Sequence, residues 1–245
     1  MKLGIMQPFF FPYIEYFQLI NAVDKFILYG NIHFSCQTWF TRNFILCKST
    51  CNPLLINVPV YERSCHKLVR EVKIVDDLLW KKKMLLRIKF NYCKAAFYSE
   101  VYPVICELIE YKTDSLHVYV CNQITQLCKH LNIDTEIESD YQKYYPIEDM
   151  LKAVSQQEIN IKTRRMIEIC KKENCSNFIN QIGGDKLYDK QLLRSFDIEI
   201  NYLKMNSISY KQTHHAFVPN LSIIDVLMHN GFIGTKKLLE KYTLS

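Results

Sequence analysis

The sequence has no CxxC pair, no G-x-G-x-x-G, no P-loop and no Ser-His-Asp order, and each absence removes a class of protein. Without CxxC, neither a thioredoxin-like redox pair nor a familiar zinc module is on offer. Without the glycine-rich loops, the common dinucleotide and nucleoside-triphosphate cradles are missing. Only 6 glycines and 7 prolines occur in 245 residues, which argues against disorder and collagen-like structure. No internal repeat or low-complexity tract occurs, and no stretch approaches the ~20 apolar residues of a membrane helix.

What is present describes a globular chain. A hydrophobic content of 49% over 245 residues supports one large domain or two small ones. The net charge of +6, from 31 basic and 25 acidic residues, suits an anionic partner such as a nucleotide. It is too mild and too dispersed for nucleic acid as the main ligand. The one basic cluster is Lys81, Lys82 and Lys83 with Arg87 and Lys89. The 10 cysteines fall at mid-element positions such as Cys106, Cys121, Cys128 and Cys170, as reduced thiols acting as small hydrophobes do. Cys47-x3-Cys51 would need partners such as Cys65-His66 or Cys128-x-His130, a spacing that fits no familiar zinc module, so neither metal nor cofactor is expected. A first strand opening at residue 2 leaves no room for a targeting segment, and the expectation is a soluble cytoplasmic protein that does not engage the membrane.

Periodicity lays out the elements. Lys2 to Met6 reads as a buried strand, Pro12 to about Ala22 as a helix and Lys25 to Tyr29 as a second strand. Between the first two, Gln7, Pro8 and three phenylalanines form a loop too aromatic for an ordinary solvated turn. In α/β folds that loop lies at the carboxyl edge of the sheet, where ligands bind. Asn43–Lys48 and Leu54–Val58 read as a hairpin, and Val69–Val75 alternates as a half-exposed strand would. Asp76-Asp77 signals a helix to about Tyr92; Tyr98–Tyr111 and a third helix capped by Thr113 or Asp114 follow. Strand Asp134–Glu138 precedes a polar, irregular 140–160. Helix Lys162–Lys172, strand Asn177–Gln181, helix Lys186–Phe196 and strand Ile198–Met205 then alternate, as right-handed parallel crossovers require. Ser222 caps a helix that Gly231 ends, and Gly234 precedes a last short one. The expected architecture is a single α/β domain over 1–245. It is a Rossmann-like parallel sheet flanked by helices, with a helical insertion at about 76–131.

Several blocks carry a resemblance. The opening MQPFFFPYIEYF resembles the [HM]QPxxxPxxGYF signature of the WbqC-like family of bacterial proteins. Trp39-Phe-Thr-Arg42-Asn43 matches that family's W-x-x-R-N. Trp80-Lys81-Lys82, then Asn180-x-x-Gly183-Gly184 with Tyr188, then Phe217-Val-Pro-Asn-Leu-Ser-Ile-Ile-Asp225, match further blocks in order. The resemblance spans almost the whole chain. It implies a role in surface-polysaccharide (O-antigen) synthesis. The implied reaction is transfer of an aminoacyl group, often glycyl, onto the amino group of a nucleotide-linked amino sugar. The implied partners are that sugar nucleotide and an acyl or aminoacyl donor; a homodimer is left open. The chain departs from the pattern at Glu15, where the family has Gly, at Gly30-Asn31, where it has two acids, and at Cys36-Gln37, where it has a basic pair.

The residues can be weighed one by one. Gln7 can donate to and accept from a ligand, or cap its own loop. Tyr13 and Tyr16, three apart, share a helix face, Tyr16 having the stronger claim to the core. The spacing mirrors the HxGH motif of nucleotidyltransferases, but tyrosine brings no imidazolium charge to phosphates. Arg42 could grip a pyrophosphate while Trp39 stacks on a base and Asn43 orients polar groups, or the three could be an ion-paired surface and core set. Lys81 and Lys82 sit at the wrong helix end for cations, a pointer to an anion nearby. Gly183-Gly184, flanked by Asp185 and Tyr188, could bring backbone N–H groups onto a phosphate or simply make a tight turn. His214-His215, Cys36 and Asp225 complete the candidates. Asp225 is read first as helix-capping, His214-His215 as a surface pair, and Cys36 as a doubtful nucleophile.

Overall fold

The computed structural model describes residues 1–35, 39–75, 77–153, 160–184, 187–213 and 217–245. Its centre is a six-stranded sheet built from β1 (Lys2–Met6), β2 (Lys25–Leu28), β5 (Glu136–Glu138), β6 (Asn177–Gln181), β7 (Glu199–Met205) and β8 (Tyr242–Leu244). The strand order is β5-β2-β1-β6-β7-β8; β8 is antiparallel to β7, and the other neighbours are parallel. Leu3 lies opposite both Lys25 and Phe178, which places β1 at the middle. The chain leaves β1 through helix α1 (Ile14–Asn21) towards β2 and β5, then returns to β6 on the other side of β1. The strand order therefore reverses between β1 and β6.

Side chains alternate across the sheet and bind helices to both faces. Leu3, Ile5, Ile27 and Phe178 pack with α5 (Tyr145–Ala153), α6 (Ile161–Lys172) and α7 (Lys190–Arg194). Phe26, Leu28, Ile179 and Leu203 pack with α1 and α8 (Ile223–Leu238). That second layer also takes in α2 (Leu78–Tyr92), α3 (Tyr98–Glu110) and α4 (Leu116–His130), and the hairpin β3 (Arg42–Leu46) with β4 (Pro53–Asn57), which is a sheet of its own. The chain is thus a mixed α/β fold around a mostly parallel sheet. Every described cysteine is a free thiol.

Several elements differ from the sequence reading. Val69–Val75 is no strand: Val69–Glu71 is a 3-10 turn, and Lys73 and Ile74 make isolated bridges to Ser115 and Val60. Its alternation arises because Val69, Val72 and Ile74 are buried beneath the helices. The expected cap of α4 moves to Ser115, whose hydroxyl accepts from Val118 N. The polar 140–160 stretch holds a 3-10 turn, Tyr141–Tyr144, and α5, anchored by buried Tyr144. Gly231, by contrast, ends its helical stretch as expected: its φ of 65° and ψ of −178° are non-helical and part α8 into two helical segments, and a side chain there would meet the Phe97 ring at 2.6 Å. β8, which closes the sheet edge, is too short to show a period.

Beneath the amino ends of the strands lies a partly buried charge cluster. Lys25 Nζ sits 2.5 Å from Glu136 and 3.0 Å from Glu173, and Lys143 Nζ lies 2.7 Å from Glu173. Burial disfavours ionised Glu173, but Lys143, Lys25 and the Tyr144 hydroxyl outweigh it and hold the carboxyl below its ordinary value. The folded pKa is depressed, so this stabilisation is complete above the unfolded value of roughly 4.3 and fades as pH falls through the folded value. Thermal melts should therefore fall steeply with acidification below about pH 4.3. The Glu173→Gln variant should melt lower than wild type at pH 7 and lose less on acidification; parallel pH profiles would exclude this role.

Candidate functional site

A cavity of about 460 Å³ opens at the carboxyl ends of β1 and β6, where the strand order reverses. That is the crevice in which open α/β sheets place ligands. Met6 and Gln7 from the end of β1, and Asn180 and Gln181 from the end of β6, form its floor. Phe9, Tyr13 and Trp39 line one wall; Gly183, Gly184, Leu187 and Tyr188 line the other. Tyr29 and Ile32 continue it beyond β2, and Lys162 and Arg165 reach it from α6.

The aromatic loop is held by distant residues. Phe10 and Phe11 are fully buried, each worth roughly 1.5–3 kcal/mol on transfer from water. Phe11 takes φ 39°, and its carbonyl accepts from Asn43 Nδ2 at 2.7 Å and Ser222 Oγ at 2.8 Å. Ile223 N donates to Pro12 O at 2.9 Å, Phe10 N to Trp39 O at 2.8 Å, and the Tyr16 hydroxyl to Gln7 O at 2.8 Å. Tyr16 is core, as expected. Tyr13 is the N-cap residue of α1, and its hydroxyl donates to Gln181 Oε1 at 3.1 Å. Burial, then Glu15, raise the Tyr13 pKa, so the phenol stays protonated; burial also raises Glu15 itself.

The structure thus brings together Gln7, Tyr13, Trp39, Gly183, Gly184 and Tyr188 from among the candidates read from sequence. It does not bring Asn43, Arg42 or Lys81 to the lining. Asn43 is buried and spends its amide on Phe10 O and Phe11 O, which makes it the loop's anchor. Arg42 is half-buried at the start of β3. Lys81 Nζ donates to Tyr111 O at 2.7 Å at the end of α3, so its charge answers that helix's carbonyl end. The glycine pair also differs in kind. It lies in a 3-10 turn, and the next described helix starts at Lys190 with the N–H groups of Gln191 and Leu192 capped by Asp189, so among the described residues no uncapped helix N-terminus follows it. A side chain at Gly184 would meet Asn180 Nδ2 at 2.8 Å, whereas Gly183 faces open space. Cys36, Asp185, His214 and His215 lie outside the described residues.

Sequence reasoning missed Gln181, Tyr29, Lys162 and Arg165. Arg165 is clamped bidentately by Glu148, with Nε–Oε1 2.6 Å and Nη2–Oε2 3.0 Å, and the Tyr29 hydroxyl donates to the same carboxylate at 2.5 Å. Burial, then Glu148, push the Tyr29 pKa up, so it remains a donor. Gln181 is 9% exposed, and its Nε2 is buried in the floor without a hydrogen-bond partner. The signal for these residues was their position at strand and helix ends, which only the three-dimensional strand order makes meaningful.

The sequence, compared with known families, matches the model of the "WbqC-like protein family" over residues 7–237. The chain belongs to the WbqC-like family. A relative named "Uncharacterized protein Rv1507c", from Mycobacterium tuberculosis (strain ATCC 25618 / H37Rv), is 25% identical over 233 residues, 94% of each chain. No solved structure matches. Two of the departing residues of this WbqC-like chain, Gly30 and Asn31, have local partners, while Cys36 and Gln37 lie outside the described residues. Asn31 is buried, donates to Tyr141 O at 2.7 Å and accepts from Arg70 Nη1. A side chain at Gly30 would meet His117 Nδ1 at 2.7 Å. Neither Gly30 nor Asn31 is among the residues lining the cavity. Among the described residues no three His, Cys, Asp or Glu side chains cluster as metal ligands, and no helix is long and apolar enough to cross a membrane.

Proposed function

We propose that this WbqC-like protein is a transferase of surface-polysaccharide assembly. It N-acylates, by glycyl or other aminoacyl transfer, the amino group of a nucleotide-linked amino sugar held in the cavity between β1 and β6. The observation that carries the reading is the lining: aromatic faces beside the carboxamides of Gln7, Asn180 and Gln181, with Lys162 and Arg165 at one side. Rings pack on sugar and base faces, carboxamides read hydroxyls in both directions, and cations meet the diphosphate. Trp39, 37% exposed in the cavity wall, is placed to stack on a base or sugar. Gly183 leaves backbone accessible. Five parallel strands in the order β5-β2-β1-β6-β7, reversing at the cavity, support the Rossmann-like reading with a nucleotide at this edge. The family's link to polysaccharide synthesis supports the reaction class.

In the reaction the amine nitrogen attacks the donor's acyl carbonyl. The C–N bond forms, the bond to the donor's leaving group breaks with its electron pair, and the ammonium proton neutralises that group. No carboxylate or imidazole is among the described lining residues. That same observation favours a second reading, a nucleotide-sugar-binding protein without turnover.

The two part on incubation with uridine or thymidine diphosphate amino sugars and aminoacyl donors, followed by mass. A gain of one aminoacyl group is expected. Binding without a mass gain moves the assignment to the second reading, and release of pyrophosphate from a nucleoside triphosphate would point instead to nucleotidyl transfer. No binding at all would defeat both readings of the cavity.

A further inference from the structure

We propose that the outer face of α2 docks an acidic amphipathic helix of a partner protein. The helix carries Lys81, Lys82, Lys83, Arg87 and Lys89 and has no acidic residue between Leu78 and Tyr92. At about 100° per residue, it has two apolar faces. Met84, Ile88 and Tyr92 are buried against the core. Leu79, Leu86 and Phe90 form a ridge on the opposite side, 52%, 65% and 65% exposed. The same spacing puts Lys82 and Lys89 along one edge of that ridge and Lys83 and Arg87 along the other.

Beside the ridge a groove of about 750 Å³ runs between α2 and the β3–β4 hairpin, walled by Leu86 and Phe90 on one side and Cys47 and Leu54 on the other. Its rim carries Lys48, Arg87 and Lys89, and none of its described lining residues is acidic. Exposed apolar strips of this kind mark interaction sites. Charge and shape select the occupant. Two copies of this face would set lysine against lysine in a chain of net charge +6. A bilayer is anionic enough but cannot fill a concave groove. A helix with an apolar stripe bordered by Glu or Asp fills the groove and meets both rows of cations.

The test uses a fluorescein-labelled synthetic helix with leucines at i, i+3, i+4 and i+7 bordered by glutamates, and a counterpart with lysines in their place. Anisotropy should show the glutamate peptide binding, weakening as salt rises. Affinity should drop by about tenfold or more in Leu86→Ser/Phe90→Ser and in Lys82→Glu/Lys89→Glu, the second pair leaving the apolar ridge intact. Unchanged melts are expected, because these side chains are exposed. The proposal fails if both peptides bind alike or neither variant loses affinity. It also fails if the protein prefers phosphatidylcholine–phosphatidylglycerol vesicles, or if it dimerises through this face and Phe90→Ser separates the dimer.

Discussion

Replacing Asp225 by alanine should lower the melting temperature by roughly 10 °C, the effect of losing about 3–4 kcal/mol in a chain of this size. Asp225 is fully buried. Its Oδ1 accepts from the Tyr92 hydroxyl at 2.7 Å; its Oδ2 accepts from the Tyr210 hydroxyl at 2.7 Å and Gln212 Nε2 at 2.8 Å. Tyr92 in turn accepts from Leu46 N at 2.8 Å, and Gln212 holds the 217–221 loop through Val218. One carboxylate therefore ties β3, α2, the 210–221 segment and α8 together. Alanine would strand the buried Tyr92 hydroxyl, take an acceptor from half-buried Tyr210 and leave one N–H of buried Gln212 unpaired, and each such donor lost from pairing costs about 1–3 kcal/mol where water is kept out. Tyr210→Phe removes one donor and leaves the others paired, so it should cost only about 1 kcal/mol. Differential scanning calorimetry on both variants decides the matter. Equal, small losses would show that the carboxylate is not the hub. The cluster holds the hairpin whose Asn43 anchors the loop over the cavity, so the Asp225→Ala variant should also bind sugar nucleotides poorly.

This network shows where the sequence is legible and where it is not. The order of strands and helices is readable because burial imposes a period, and β1, β2, β6, β7, α1 and α6 all fall close to their periodic segments. The first loop is recognisable as a site because three phenylalanines do not belong in a solvated turn. What holds it is invisible, because Ser222 and Phe11 meet across 211 positions, and no local pattern records a contact of that range. Asp225 looks like a cap residue by spacing, and only its tyrosine partners show the larger structural task. Lys81 misled for a related reason: helix-dipole logic flagged a cation at the wrong end of α2, but the carbonyl end it serves belongs to α3. The glycine pair does line the cavity, but in a 3-10 turn, because the helix expected at Lys186 first appears, among the described residues, at Lys190.

Gln181→Leu should separate stability from binding. In the free protein the carboxamide oxygen accepts from Tyr13, but the buried Nε2 has no partner. An unsatisfied buried amide is a cost of about 1–3 kcal/mol that an apolar side chain of similar size does not carry. The leucine variant loses one hydrogen bond to Tyr13 and sheds that penalty, so its melting temperature should stay level or rise. A residue kept only for folding would show the reverse. On the proposed reading, a sugar nucleotide in the cavity would draw the carboxamide round and give Nε2 an acceptor, and losing that interaction should weaken binding by about 10- to 100-fold. Tyr13→Phe is the partner experiment. It removes the phenol that fixes the carboxamide, so affinity should fall less than in Gln181→Leu, and the double variant should lose less than the sum of the two, as for side chains acting as one unit. The readout is the ligand-induced rise in melting temperature with uridine diphosphate amino sugars, which should be large for wild type and much smaller for the leucine variant. A variant that melts lower yet binds as wild type would make Gln181 a structural residue and move the polar contacts of the site to Gln7 and Asn180.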